Sequence, residues 1–261
     1  MGKINSKTVV FIHGAFVTKN SWGEWPAYFE SRGYKSVVPA WPFKDASPAE
    51  LRKRQPDPDV AKLRMQDLID HFTKIVSEQE EKPIAIGHSY GGLLTQILLN
   101  RDLVVAGVGI HSVPPQGVIP TALSFYKATW GPLGYFTDAN KTFLFTQKQW
   151  NFAFANGQSP EDQKESYEEY AVPESKRINR DAVTKTAKVD WKKPHGPLLI
   201  TSGDTDQILP VSISYSNYKK YNKENGSVTD YKEFKGRNHS VLVLPTWKED
   251  ADYIIDWLER N

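Results

Sequence analysis

The sequence contains no cysteine, which excludes disulfides, thiolate metal sites and a cysteine nucleophile together. It also lacks an excess of either charge. Its 33 Lys and Arg stand against 31 Asp and Glu, a net charge of +2, so no large field draws in nucleic acid or an acidic membrane surface. No apolar run approaches the roughly 20 residues of a membrane-spanning helix, and the opening MGKINSK has no apolar signal core. The expectation is a soluble, cytoplasmic chain without nucleic-acid or membrane partners. MGKINS does fit the loose myristoylation pattern, but with a strand expected from Thr8 it reads as an ordinary amino terminus. There is no His-x-x-x-His pair and no Walker lysine, so neither a metal nor a nucleotide site is expected.

What is present points to one α/β core. At 261 residues and 39% hydrophobic content the chain can bury a substantial interior. Six short β-rich runs recur: TVVFI (8–12), SVV (36–38), PIAIG (83–87), VAGVGI (105–110), PLLITS (197–202) and TDYKEF (229–234). Several are apolar throughout, as strands buried on both faces of a parallel sheet tend to be. Helix-like segments alternate with them at 21–31, 60–77, 92–99, 211–221 and 246–259. The alternation breaks between Pro114 and Pro194, where aromatic residues and turn signals replace strand patterns. That much apolar surface must pack on something. The expected organisation is therefore a core of 1–113 and 195–261 carrying a helical cap at 114–194, with Pro48–Pro58 as an irregular surface stretch.

Gly87-His88-Ser89-Tyr90-Gly91 matches G-x-S-x-G between a strand and a helix-like GLLTQILL. A serine lifted to the tip of such a turn sits on strained backbone, and Gly87, Gly91 and Gly92 let strand and helix approach. Ser89 is the expected nucleophile. A hydroxyl needs a base oriented by a carboxylate. His239 lies on the loop after the last strand, at the sheet edge where the ligands of open α/β sheets gather. Asp204 and Asp206 both follow PLLITS and precede His239 in the order Ser, acid, His; Asp206 is preferred, with Asp204 the fallback. The oxyanion would be held by the N–H of Tyr90 and by one from the HGAF loop, Ala15 or alternatively Phe16.

HGAF, GHSYGG, GDTDQILP and RNHS, in this order, resemble the α/β-hydrolase superfamily over nearly the whole chain apart from the variable cap. The resemblance implies an eight-stranded, mostly parallel sheet flanked by helices, a cap inserted after the sixth strand, and a metal-free triad with no organic cofactor. Branches that use a carboxylate nucleophile are disfavoured by Ser89. The similar hydroxynitrile lyases carry threonine and lysine where Gly14 and Ser240 stand here. Members of the cofactor-free haloperoxidase type differ at Ala15-Phe16. The expected activity is hydrolysis of a small apolar carboxylic ester through an acyl-enzyme, and lactones, amides or thioesters would use the same residues. A triad-bearing ligand receptor with slow or no turnover is the other reading. Phe16, His111, Trp130, Phe152 and Phe154 are pocket candidates, each also readable as packing. Oligomeric state is left open.

Overall fold

Each of the six β-rich runs becomes a strand of a single sheet in the computed structural model, which describes residues 3–221 and 224–261. Met1 and Gly2, which open the myristoylation-like pattern, lie outside the described residues. The central strands are β1 (Thr8–Ile12), β2 (Lys35–Val37), β3 (Ile84–His88), β4 (Ala106–Ile110), β7 (Leu198–Gly203) and β8 (Thr229–Phe234). They lie in the order β2-β1-β3-β4-β7-β8, parallel throughout. The sheet therefore has six strands among the described residues, against the eight the family resemblance implies. The other two, β5 (Thr142–Phe143) and β6 (Glu174–Ser175), pair antiparallel with each other and never join it.

Side chains alternate across the sheet with the period of a pleated strand. Val9 and Phe11 of β1 face one apolar cluster with α1 (Trp25–Ser31) and α11 (Trp247–Arg260), whereas Val10 and Ile12 face another. That second cluster contains α4 (Met65–Ser77) and α5 (Tyr90–Asn100). Because α5 lies between sheet and outer layer, ten of its residues are buried, which explains a sequence apolar on nearly every side. Trp22, Trp25 and Trp41 are interior residues. Among the described residues no helix is long and apolar enough to cross a membrane.

Two stretches depart from expectation. Pro48–Lys53 is a helix, α2, not irregular chain: Ser47 accepts from the Glu50 N–H while the Glu50 carboxylate accepts from the Ser47 N–H, a reciprocal capping box, and Leu51 is buried beneath. The helix expected over 60–77 is two, α3 (Pro58–Lys62) and α4. Arg64 between them is extended, at φ −115° and ψ 159°, because its guanidinium makes a forked hydrogen bond to Asp181 at 2.7 and 2.6 Å.

Between β4 and β7 the chain makes a long excursion that holds α6 (Leu123–Leu133), α7 (Gln147–Ala153), α8 (Pro160–Tyr170) and α9 (Lys176–Asp181) as well as β5 and β6. α10 (Val211–Lys220) follows β7. The excursion is tied to the sheet loops by a wholly buried ion pair, Lys44 to Glu174. Glu174 also accepts the Phe16 N–H at 3.3 Å and the Ser175 N–H at 3.0 Å. Both backbone groups of Phe16 thereby meet the excursion, since its carbonyl receives Val172 N–H at 2.9 Å.

Candidate active site

In this strand order the connections leave β1 and β3 in opposite directions, which opens a crevice between their carboxyl ends. The HGAF loop leaves β1 there and Ser89 leaves β3. Ser89 has φ 55° and ψ −117°, a sparsely populated region for an L-residue. Its backbone is held by Ser89 N–H to Ile110 O at 2.9 Å and Val113 N–H to Ser89 O at 3.0 Å. The close approach behind it depends on missing side chains: a Cβ on Gly87 would lie 2.1 Å from the Gly91 carbonyl oxygen, and one on Gly91 1.9 Å from that of Ile12.

Ser89 Oγ lies 3.0 Å from Nε2 of His239, whose Nδ1–H donates to Asp206 Oδ2 at 2.7 Å. All three side chains are buried. His239 sits on the loop after β8 and Asp206 on the loop after β7, so residues 150 positions apart meet through the topology. Of the two competing aspartates, Asp206 enters this chain of hydrogen bonds; Asp204 instead accepts the Gly236 N–H at 2.6 Å, joining the β7 and β8 loops. Burial pushes the Asp206 carboxyl up, but the charges and N–H groups of His239 and His111 outweigh it and hold the group well below the usual carboxylate range.

The His239 loop is braced on two sides. Ser240 N–H and Oγ–H both donate to the Phe154 carbonyl, at 3.2 and 3.1 Å. Asn238 reaches the Asn156 carbonyl at 2.9 Å, and the Asn156 amide reaches Thr205 O at 2.8 Å. The Phe154 ring packs edge-on against the His239 imidazole, 4.9 Å between centroids. His88, read from the sequence as the elbow's variable position, donates Nε2–H to the His239 carbonyl at 3.1 Å. Burial first, and then the charges of His239 and His111, depress its basicity far below an ordinary histidine, so it stays neutral in that role.

An apolar cavity of about 440 Å³ opens beside Ser89. Ala15, Phe16, Tyr90, Trp130 and Phe154 line it with Ser89, together with Pro, Val, Ile and Leu side chains from the β4 exit, α6 and the 208–209 turn. Trp130 stands at its rim, 68% exposed. Two of the pocket candidates do not line this cavity. Phe152 is not a wall residue; its ring lies under the Lys127 ammonium, 3.9 Å from the centroid. His111 is not one either. It follows directly on β4 with its imidazole buried, and Nδ1–H donates to the same Asp206 oxygen at 2.8 Å. His111, Asp206 and His239 could each offer a metal one ligand atom within a 4.8 Å span, but their atoms already meet at hydrogen-bond distances that a cation would have to break.

Two interactions here left no trace in the sequence reading: His111 on Asp206, and Glu174 on the Phe16 N–H. Each joins residues far apart in the chain by a contact that no local spacing encodes.

Residues 9–253 match the model of the alpha/beta hydrolase family, and the chain belongs to that family. A curated relative, norfluorocurarine synthase 2 of Strychnos sp, is 31% identical over 139 residues, covering 51% of this chain. The chain spans about half, 48%, of that relative's length. Among solved structures, the monoacylglycerol lipase of Paleococcus ferrophilus is similar with a TM-score of 0.69 at 19% identity, covering 100% of this chain and 96% of that one. Polyneuridine aldehyde esterase is similar with a TM-score of 0.67 at 15% identity, covering 97% and 99%. These structural likenesses share the fold.

Proposed function

We propose that the chain is a serine hydrolase that cleaves a small apolar carboxylic ester through an acyl-enzyme. The observation that carries this reading is the continuous hydrogen-bonded path from Ser89 Oγ through His239 to Asp206, set at the wall of an apolar cavity. In the proposed reaction Ser89 Oγ attacks the acyl carbon while His239 Nε2 takes its proton. The ester C–O bond then breaks as the imidazolium returns that proton to the departing alcohol oxygen. Water repeats the sequence: its proton passes to Nε2, its oxygen bonds to the acyl carbon, and Ser89 leaves reprotonated. Asp206 holds the Nδ1–H tautomer, which keeps the Nε2 lone pair on the serine.

Charge developing on the acyl oxygen would be met by the N–H groups of Ala15 and Tyr90, a device worth about 10²- to 10³-fold per donor. The alternative donor, Phe16, has its N–H turned to Glu174, which favours Ala15. Tyr90 is the first residue of α5, where an N–H has no partner within the helix. We read 114–194 as the cap over this site, and its largely apolar wall as the reason an apolar ester fits.

The test is turnover of a p-nitrophenyl ester series from acetate to decanoate, with Ser89→Ala as background. A serine-dependent loss of up to about 10⁶-fold is expected, together with labelling of the native protein, but not of Ser89→Ala, by a fluorophosphonate. Unchanged turnover in Ser89→Ala would overturn the assignment. Labelling without appreciable turnover on any ester would favour the receptor reading.

A further inference from the structure

The Asp206 carboxylate has all four of its acceptor directions in use. Oδ1 receives the backbone N–H groups of Ile208 and Leu209 at 2.9 and 2.8 Å; Oδ2 receives His239 at 2.7 Å and His111 at 2.8 Å. A Ser-His-Asp reading needs only one imidazole on that carboxylate. The second is held there against two opposing costs. His111 has φ 44°, the left-handed region that residues other than glycine rarely enter. Its other nitrogen, Nε2, is buried with no hydrogen-bond partner among the described residues.

Room for this ring is built in at β7. A Cβ on Gly203 would lie 2.2 Å from the Arg237 carbonyl oxygen and 2.6 Å from Cε1 of His111, so the bare backbone there admits both the β8 loop and the imidazole. The strained backbone and the orphaned nitrogen are both tolerated for one outcome, an imidazole N–H on Asp206. His111 is fully buried and does not line the cavity, so it has no route to substrate.

We propose that His111 is a positioning residue: by donating to the Asp206 oxygen that also receives His239, it fixes the carboxylate's orientation and draws part of its charge away from the base. The proposal rests on the triad reading given above. Its consequence is a carboxylate whose charge is shared between two donors and not spent on one. A variant without the His111 donor leaves more of that charge facing the base, so its rate profile should lose its acid-side limb at a higher pH than the native protein's. The charged and titratable groups around His111 are Asp206 from the β7 loop, His239 from the β8 loop, His88 from β3, and Asp250 from α11, which is itself paired with Arg237 at 2.9 Å.

The test compares His111→Leu, which removes the donor, with His111→Asn, whose amide nitrogen falls where Nδ1 stands and which tolerates a left-handed backbone. His111→Ala is a second donor-free variant should leucine strain the fold. We expect the donor-free variants to lose about ten-fold in kcat with KM little changed. Their acid limb of kcat/KM should move up by about half a pH unit or more, and His111→Asn should restore both. A donor-free variant with native kcat and an unmoved limb would overturn the proposal, as would an Asn variant as impaired as Leu and Ala. The Ser89→Ala control separates the two levels: if it retains activity the triad reading itself fails, whereas an inactive Ser89→Ala beside a native-like donor-free variant sinks only the role given to His111.

Discussion

Lys44→Met tests whether the sheet loops and the excursion are joined by charge. In the native protein the Lys44 ammonium and the Glu174 carboxylate are both fully buried and in direct contact. Methionine matches the lysine stem in length but removes its charge, leaving Glu174 with only the Phe16 and Ser175 N–H groups. Breaking a buried pair from one side costs about 3–5 kcal/mol, a large share of the 5–15 kcal/mol of a whole domain. At about 2–4 °C per kcal/mol for a chain of this size, the melting temperature should fall by about 10 °C. Glu174→Gln should be comparably damaging at neutral pH, with a distinct signature. Burial already depresses the Lys44 ammonium, and Glu174 opposes that depression. Without Glu174 the folded-state value drops further below the unfolded one, the unfolded chain binds more protons, and stability rises with pH. The Glu174→Gln deficit should thus shrink as pH climbs toward about 10. The double variant should recover much of the single-variant losses, because no lone charge remains buried. Urea denaturation of the four proteins at pH 7 and 9 measures all of this. Single variants within about 1 kcal/mol of native, or a double variant as poor as the sum of its parts, would refute the reasoning.

Asp206→Asn should preserve the fold yet lower kcat by about 10⁴-fold, because an amide can donate to His239 and so favour the wrong tautomer; a p-nitrophenyl ester assay with melting curves as control would reveal it. Asp206 also sets an acid limit. Its folded-state carboxyl lies below its unfolded value, so its contribution to stability is complete above pH of about 4 and fades as pH falls through the folded value. Urea midpoints from pH 6 to 2 should show the gap between native and Asp206→Asn proteins holding steady above pH of about 4 and narrowing below it, and a constant gap down to the acid end would contradict the assignment of that shift.

The parts of this molecule legible in the sequence are those written into local pattern. Strands buried on both faces must be apolar throughout, so TVVFI and VAGVGI announce themselves; a serine between glycines at a strand-to-helix turn does the same. Even α2 carried its mark in Ser47 and Glu50, a capping box overshadowed by three prolines and clustered charges. Other features depend on encounter. Asp204 and Asp206 share a loop and a charge, and the sequence could only prefer the second; what separates them is the Ile208 and Leu209 N–H groups on one Asp206 oxygen and two imidazoles on the other. The break between α3 and α4 follows from Asp181, 117 residues away from the arginine it captures. His111 could be seen to end a strand, but its inward turn needs the left-handed backbone and the space at Gly203, neither of which a single sequence displays.

The hydrogen bonds from Asn238 and Ser240 to the stretch Phe154–Asn156 have a consequence for traffic through the site. On the proposed function, an excursion that hinged upward at this corner would carry the His239 loop with it and draw the imidazole off Ser89, whereas the cavity's exposed rim lies elsewhere, at Trp130. A chimaera that replaced the excursion would, on the same reading, have to carry Phe154 and Asn156 along with it to keep the imidazole in reach of the serine.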